Sequence, residues 1–257
     1  MKFIDTHSHL YNDEFDHDRH EVISNAISSG IETILLPNIS SKHTKKMLAV
    51  CSKFPKNCYP MMGLHPCNVS EANYEMEIAH IEKELKSKNY IGIGEIGLDL
   101  YWDKTSLEIQ KKAFIYQIKL AKKHKLPIVI HVRDSFNEAI EIIENLNNHD
   151  LSGVFHCFTG NFKDAMRITS LKGFSLGVGG ILTFKNSGLD KTIAKIDLKH
   201  LILETDAPYL APTPFRGQRN ESKYIIKIAE KLAEVHQTSV EEVAKITTKN
   251  AKNLFKI

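Results

Sequence analysis

The sequence predicts an α/β fold of the (β/α)8 TIM-barrel class. It predicts a single domain over residues 1–257, with the active site at the C-terminal ends of the strands. Three observations carry that expectation. Eight short apolar runs recur along the chain, each ending in polar or glycine residues. Stretches of helical periodicity separate them. The length of 257 residues suits one such barrel, which takes about 250 residues.

The eight runs are residues 2–9, 32–37, 58–65, 90–98, 127–132, 153–158, 174–179 and 200–206. They are rich in Ile, Val and Leu, as strands buried on both faces of a parallel sheet should be. Alternation of strands with helices implies βαβ units. Eight units in this length favour a closed barrel over an open doubly wound sheet. No G-x-G-x-x-G follows the first strand, which weakens a dinucleotide-binding alternative. The clearest helix is 105–125, where Thr105 and Glu108 form a capping-box pattern and Leu107, Phe114, Ile118 and Ala121 share a face. A second, 239–255, opens on Ser239 and Glu242 in the same pattern, and 220–236 is a third. The seventh unit is the least regular: its strand, FSLGVGG, is glycine-rich and its helix, 189–196, is short.

Composition is that of an ordinary globular protein, 42% hydrophobic and 25% charged. A net charge of +3 does not mark an extended nucleic-acid surface. The four cysteines, Cys51, Cys58, Cys67 and Cys157, form no C-x-x-C pair. They read as reduced thiols of a cytoplasmic protein. No apolar run approaches the ~18 residues of a membrane helix. The chain opens almost at once into a strand, so little or no leader is expected, and a monomer is the default.

Six of the eight strand ends carry metal-ligand residue types. The first ends in His7-x-His9, and residues two apart on a strand point the same way. The fourth carries Glu95, the fifth ends in His131, the sixth holds His156, and the eighth ends in Glu204-Thr205-Asp206. The third adds His65. The other eight histidines (His17, His20, His43, His80, His124, His149, His200 and His236) fall on helices, loops or a strand start and read as surface residues. A lone strand histidine is more often a satisfied core residue than a ligand. A set of imidazoles and carboxylates converging on one barrel end would be costly without a cation.

Six ligands exceed one tetrahedral ion and suit two divalent ions sharing a carboxylate. His7, His9 and Asp206 would hold one ion, His131 and His156 the other, and Glu95 would bridge them. The imidazole-rich set favours Zn, Mn, Fe or Ni over Mg. Two such ions against two carboxylates leave a charge of about +2, which favours an anionic substrate or transition state. A water between the ions would become the attacking hydroxide, with Glu95 and Asp206 as catalytic residues and Asp206 handling its proton. Glu204 and Asp5, deeper on the same faces, would support the ligands or simply hydrogen-bond in the core.

Substrate contacts are expected from His65, Arg133 and Arg216, with Arg219 beside them. Three of the chain's five arginines thus lie at this rim and point to phosphate, whose oxygens suit the guanidinium fork, with surface salt bridges as the alternative. Tyr101 and Trp102, after the fourth strand, could stack bases or cover a helix end. Gly92, Gly94 and Gly97 around Glu95 suggest close approach of something bulky, or barrel packing.

The motifs FIDTHSHL, GLHP, GIGEIGLDLY, LPIVIHVRD, FHCFTG and LETDAPYLAP followed by RGQRNE occur in order along essentially the whole chain. Together they resemble the TatD family of metal-dependent deoxyribonucleases, within the amidohydrolase-like group of barrels. The resemblance implies metal positions at His7, His9, Glu95, His131, His156 and Asp206. It also implies DNase activity with magnesium, manganese or zinc, often 3′-to-5′ exonuclease action on single-stranded DNA, in the cytoplasm. Ser222 departs from the proline expected after the RNE segment. The alternatives are a D-aminoacyl-tRNA deacylase or other ester or amide hydrolase of the same group, and a non-catalytic binding barrel.

Overall fold

The computed structural model describes residues 1–147 and 150–257; His149 lies outside them. Eight parallel strands follow one another in chain order. They are β1 (Phe3–Asp5), β2 (Ile31–Pro37), β3 (Cys58–Met61), β4 (Ile93–Asp99), β5 (Ile128–Arg133), β6 (Gly153–Phe155), β7 (Phe174–Val178) and β8 (Leu201–Leu203). The main helices between and after them are α1 (Arg19–Ser28), α2 (Ser41–Lys53), α3 (Tyr74–Ser87), α4 (Leu107–His124), α5 (Phe136–Leu146), α6 (Phe162–Ser170), α7 (Leu189–Ile193), α8 (Ile225–His236) and α9 (Val240–Phe255).

Regular ladders join β1-β2-β3 and β4-β5-β6-β7-β8. Backbone hydrogen bonds join these two sheets at both seams. Between β3 and β4, Ile91 N–H donates to Pro60 O and Gly94 N–H to Met62 O. Between β8 and β1, Thr6 N–H donates to Leu203 O, Asp206 N–H to His7 O and His9 N–H to Ala207 O. The second seam carries the ligand-bearing segments themselves, so closing the ring also positions the site.

Ile4, Leu35, Met61, Val129, Val154 and Ile202, one from each of six strands, form the inner apolar cluster, and Leu254 and Phe255 of α9 pack against it. The two remaining strands contribute glycine at this level. A Cβ on Gly94 would come within 2.7 Å of Val129 Cβ, and one on Gly177 within 2.3 Å of Glu204 Oε2. Neighbouring barrel walls therefore account for the glycine-rich β4, rather than a bulky ligand.

Four strands end earlier than the apolar runs suggested. His7 and His9, His65, His156 and Asp206 lie just past β1, β3, β6 and β8. There the backbone leaves the regular ladder to turn side chains over the barrel mouth, and Asp206 adopts a left-handed φ of 58°. Asp tolerates that region better than most residues. The helix starts also shift. Asp103, not Thr105, caps the start of the α4 region, accepting from Thr105 N at 2.8 Å and opening a 3-10 turn ahead of α4. The helix expected from residue 220 begins at Ile225, after a 3-10 turn. At α9 the Ser239 hydroxyl accepts from Glu242 N at 3.1 Å, as expected.

Candidate metal centre

Glu95 is the hub. It is buried, and its two oxygens face different imidazoles. Oε2 lies 3.3 Å from His7 Nε2 and 3.4 Å from His9 Nε2. Oε1 lies 2.9 Å from both His131 Nδ1 and His156 Nε2, and 3.3 Å from His65 Nε2. Asp206 Oδ1 completes the first side, 3.4 Å from His9 Nε2 and 3.7 Å from His7 Nε2. The His7 and His156 rings stack at 4.0 Å, which joins the two sides. Ligand atoms of His7, His9 and Glu95, of His7, His156 and Asp206, and of His65, Glu95 and His131 each fall within 4.8 Å of one another.

The far side of each ring determines what the near side offers. Tyr11 Oη donates to Pro37 O at 2.5 Å, so it accepts from His9 Nδ1 at 2.9 Å. The His9 Nε2 lone pair is thereby left facing the centre. Asp99 Oδ2 lies 2.9 Å from His131 Nε2, which places that ring's proton outward and its Nδ1 lone pair inward. Glu204 Oε1 sits 3.5 Å behind His156 Nδ1 and also accepts the Cys157 amide. His65 is set the opposite way. Its Nδ1 accepts from Cys67 N–H at 3.1 Å, so the neutral ring carries its proton on Nε2. His65 therefore presents a donor to the site, while His9 and His131 present acceptors.

This donor set fits divalent cations. The Nε2 atoms of His7 and His9 approach to 3.1 Å, a contact that needs a proton or a cation between lone pairs. Without a cation, protons balance the carboxylates. Burial opposes charge on His9, yet the bonds to Asp206 and Glu95 raise its pKa to about 10. His131 and His156 are likewise pushed up against the cost of burial, by Asp99 and Glu95 and by Glu95 and Glu204. Burial would raise the Glu95 pKa, but His65, His156 and His7 hold it well below the usual carboxylate range. Asp206 is held down in the same way, chiefly by His9.

Asp5 supports the site through backbone rather than through a ring. Its carboxylate accepts from Thr205 N at 2.9 Å and Thr205 Oγ1 at 2.6 Å, tying β1 to the segment before Asp206. His7 Nδ1 is buried without a protein partner. Two supporting residues, Tyr11 and Asp99, went unrecognised in the sequence. Each had a signal: Tyr11 extends the alternation His7, His9, and Asp99 sits four residues past Glu95 on the same strand.

The rim arginines divide. Arg219 is committed to structure: it donates two hydrogen bonds to the Asp18 carboxylate at 2.8 and 2.6 Å and one to Glu14 O at 2.7 Å, and lies over Phe15. It pins the loop after β8 to the start of α1 and is not available to substrate. Arg216 stacks on Phe184 and lines a groove of about 560 Å³ with Lys185, Asn186, Ser187 and Thr213. Arg133, two residues beyond His131, is exposed and lies 3.6 Å over the Tyr101 ring. A second cleft of about 440 Å³, lined by Asp134, Glu138, Phe158 and Thr159, reaches His156 and Cys157.

The family model described as TatD related DNase matches residues 4–256. The chain belongs to the TatD-related DNase family. The uncharacterized metal-dependent hydrolase YabD of Bacillus subtilis is 37% identical over 99% of both chains. YjjV of Escherichia coli K12, likewise an uncharacterized metal-dependent hydrolase, is 31% identical over 100% of this chain and 98% of its own. The crystal structure of YjjV, a TatD homologue, superposes with a TM-score of 0.91 over 99% of this chain and 98% of that one. A TatD family hydrolase from Entamoeba histolytica, at 23% identity, shares the fold with a TM-score of 0.85. This TatD-family chain is thus a metal-dependent hydrolase. Among the described residues, no helix is long and apolar enough to cross a membrane.

Proposed function

We propose that the protein hydrolyses phosphodiester bonds of DNA, acting as a 3′-to-5′ exonuclease, with two divalent cations. The observation that carries the reading is the division of Glu95, with one oxygen toward His7 and His9 and the other toward His131 and His156. His7, His9, Asp206 and Glu95 Oε2 would hold one cation, and His131, His156 and Glu95 Oε1 the other. Bound there, the cations would acidify a water and polarise the phosphoryl oxygen.

The chain's own groups supply the rest. The Asp206 carboxylate, which stands beside His7 and His9 at the centre, would take the proton of the attacking water and return it to the departing 3′ oxygen of the chain. His65 Nε2–H donates to a phosphate or leaving-group oxygen. Arg133 is free to meet phosphate, since no carboxylate pairs with it among the described residues. The loaded site, at about +2, stabilises an anionic transition state better than a neutral one.

A second reading, an esterase of aminoacyl type, draws on one observation. Asp134 and Glu138 line the cleft that reaches His156, and such a lining suits a substrate ammonium better than a phosphate. The test is an activity panel on metal-reconstituted protein with single-stranded DNA, duplex DNA, RNA, misacylated tRNA and simple esters. Release of mononucleotides from DNA 3′ ends is the expected result. Turnover of the aminoacyl ester alone would replace the proposal with the second reading.

A further inference from the structure

We infer that Trp102, backed by Tyr101 and Arg133, is a stacking platform for an unpaired nucleobase next to the scissile phosphate. The inference rests on the phosphodiester reading above and names how that substrate is gripped. Trp102 is the chain's only tryptophan and is 74% exposed, with Tyr101 at 52%. The two rings meet edge to face at right angles, 4.8 Å between centroids, rather than stacking on one another.

The backbone of Tyr101, and with it the neighbouring Trp102, is tied to the metal centre. Asp99 accepts from Tyr101 N–H with one carboxylate oxygen at 3.0 Å and holds His131 Nε2 with the other at 2.9 Å. Leu100 N–H donates to Arg133 O at 2.9 Å. Gln110 brackets the Asp99 backbone, accepting its N–H and donating to its carbonyl. Asp103 caps the turn that follows. The aromatic loop thus hangs from the two strand ends that carry Glu95 and His131.

Charge selects the occupant. The Arg133 guanidinium lies 3.6 Å over the Tyr101 ring and 5.7 Å from the Trp102 ring centroid, with no carboxylate paired to it among the described residues. A flat aromatic face beside an unneutralised cation is complementary to a base and its phosphate. A base inside a duplex has both faces covered by its neighbours, so only an unpaired or frayed base can use the platform. Stacking of one base on an aromatic side chain is worth about 5- to 150-fold in affinity.

The test uses full-length protein and needs no turnover. Tryptophan fluorescence reports Trp102 alone. Titration of chelator-treated protein with a short single-stranded oligodeoxynucleotide should quench it, and a blunt duplex of the same sequence should do so at least about tenfold less effectively. In the metal-loaded enzyme, Trp102→Ala should raise KM for single strands about tenfold, with a smaller loss on a small phosphodiester lacking a base; Trp102→Phe should recover most of the difference. No quenching by the single strand, equal quenching by the duplex, or equal losses on both substrates would overturn the platform. Failure of wild-type enzyme to cleave any phosphodiester would instead overturn the proposed function, and it is read in a separate assay.

Discussion

The Asp99 carboxylate meets His131 on the side of the imidazole facing away from Glu95, 2.9 Å from Nε2. One short strand, β4, therefore supplies both the carboxylate shared between the two halves of the centre and the carboxylate that orients one of its imidazoles. Asp99→Asn keeps the shape but removes the charge that fixes the His131 proton outward. Metal affinity should fall about 10- to 100-fold, read by competition with a chelator. Unchanged affinity would mean that His131 is oriented by other contacts.

Tyr11 plays the same part for His9, with less charge. Tyr11→Phe removes the acceptor for His9 Nδ1–H and leaves the Pro37 carbonyl without its donor. Loss of a buried hydrogen bond costs about 1–3 kcal/mol, so the melting temperature should drop by a few degrees while metal affinity weakens. A drop in stability with no change in metal affinity would confine Tyr11 to the core.

His65 separates from the other histidines by its tautomer. His65→Asn removes the Nε2 donor but no inward lone pair, so metal content should persist while kcat/KM falls about 100-fold, the lower range for a lost proton donor. Loss of metal together with activity would place His65 among the ligands instead.

Asp206 is both a predicted ligand and the predicted proton acceptor. Asp206→Ala should abolish hydrolysis while circular dichroism stays native, because the side chain stands beyond β8 rather than in the core. Chelation of the wild type should abolish activity too, and added manganese or zinc should restore it. Residual activity in the chelated enzyme would refute the metal-dependent mechanism for this chain.

Arg219 and Asp18 test the structural role found for the loop after β8. Asp18 is held below its ordinary value of 3.8 mainly by the Arg219 hydrogen bonds. A carboxyl with a lowered folded pKa contributes stability above its unfolded value and loses it as pH falls through the folded one. A double-mutant cycle with Asp18→Asn and Arg219→Met should show about 0.5–1 kcal/mol of coupling at neutral pH, as for a well-formed surface pair. That coupling should shrink below about pH 4. Coupling independent of pH would show that the pair acts through packing on Phe15 rather than through charge.

Local pattern was enough to place much of this protein in the sequence. Strand-like runs at the right spacing exposed eight β units, and ligand-type residues at their ends exposed His7, His9, Glu95, His131, His156 and Asp206 as a group that the fold does bring together. Alternation along a strand is a local property, so the pairing of His7 with His9 needed no tertiary knowledge. Tertiary structure alone decided what backs His131 and His156, because Asp99 and Glu204 reach them from other strands, whereas Tyr11 and the Cys67 amide lie only two residues from His9 and His65. It also decided which arginines are free. Arg133 and Arg219 look alike in sequence, yet a carboxylate some two hundred residues away at Asp18 neutralises the second and leaves the first open. Charge pairing between distant segments leaves no periodic trace in the chain, and only closure of the barrel brings those segments together.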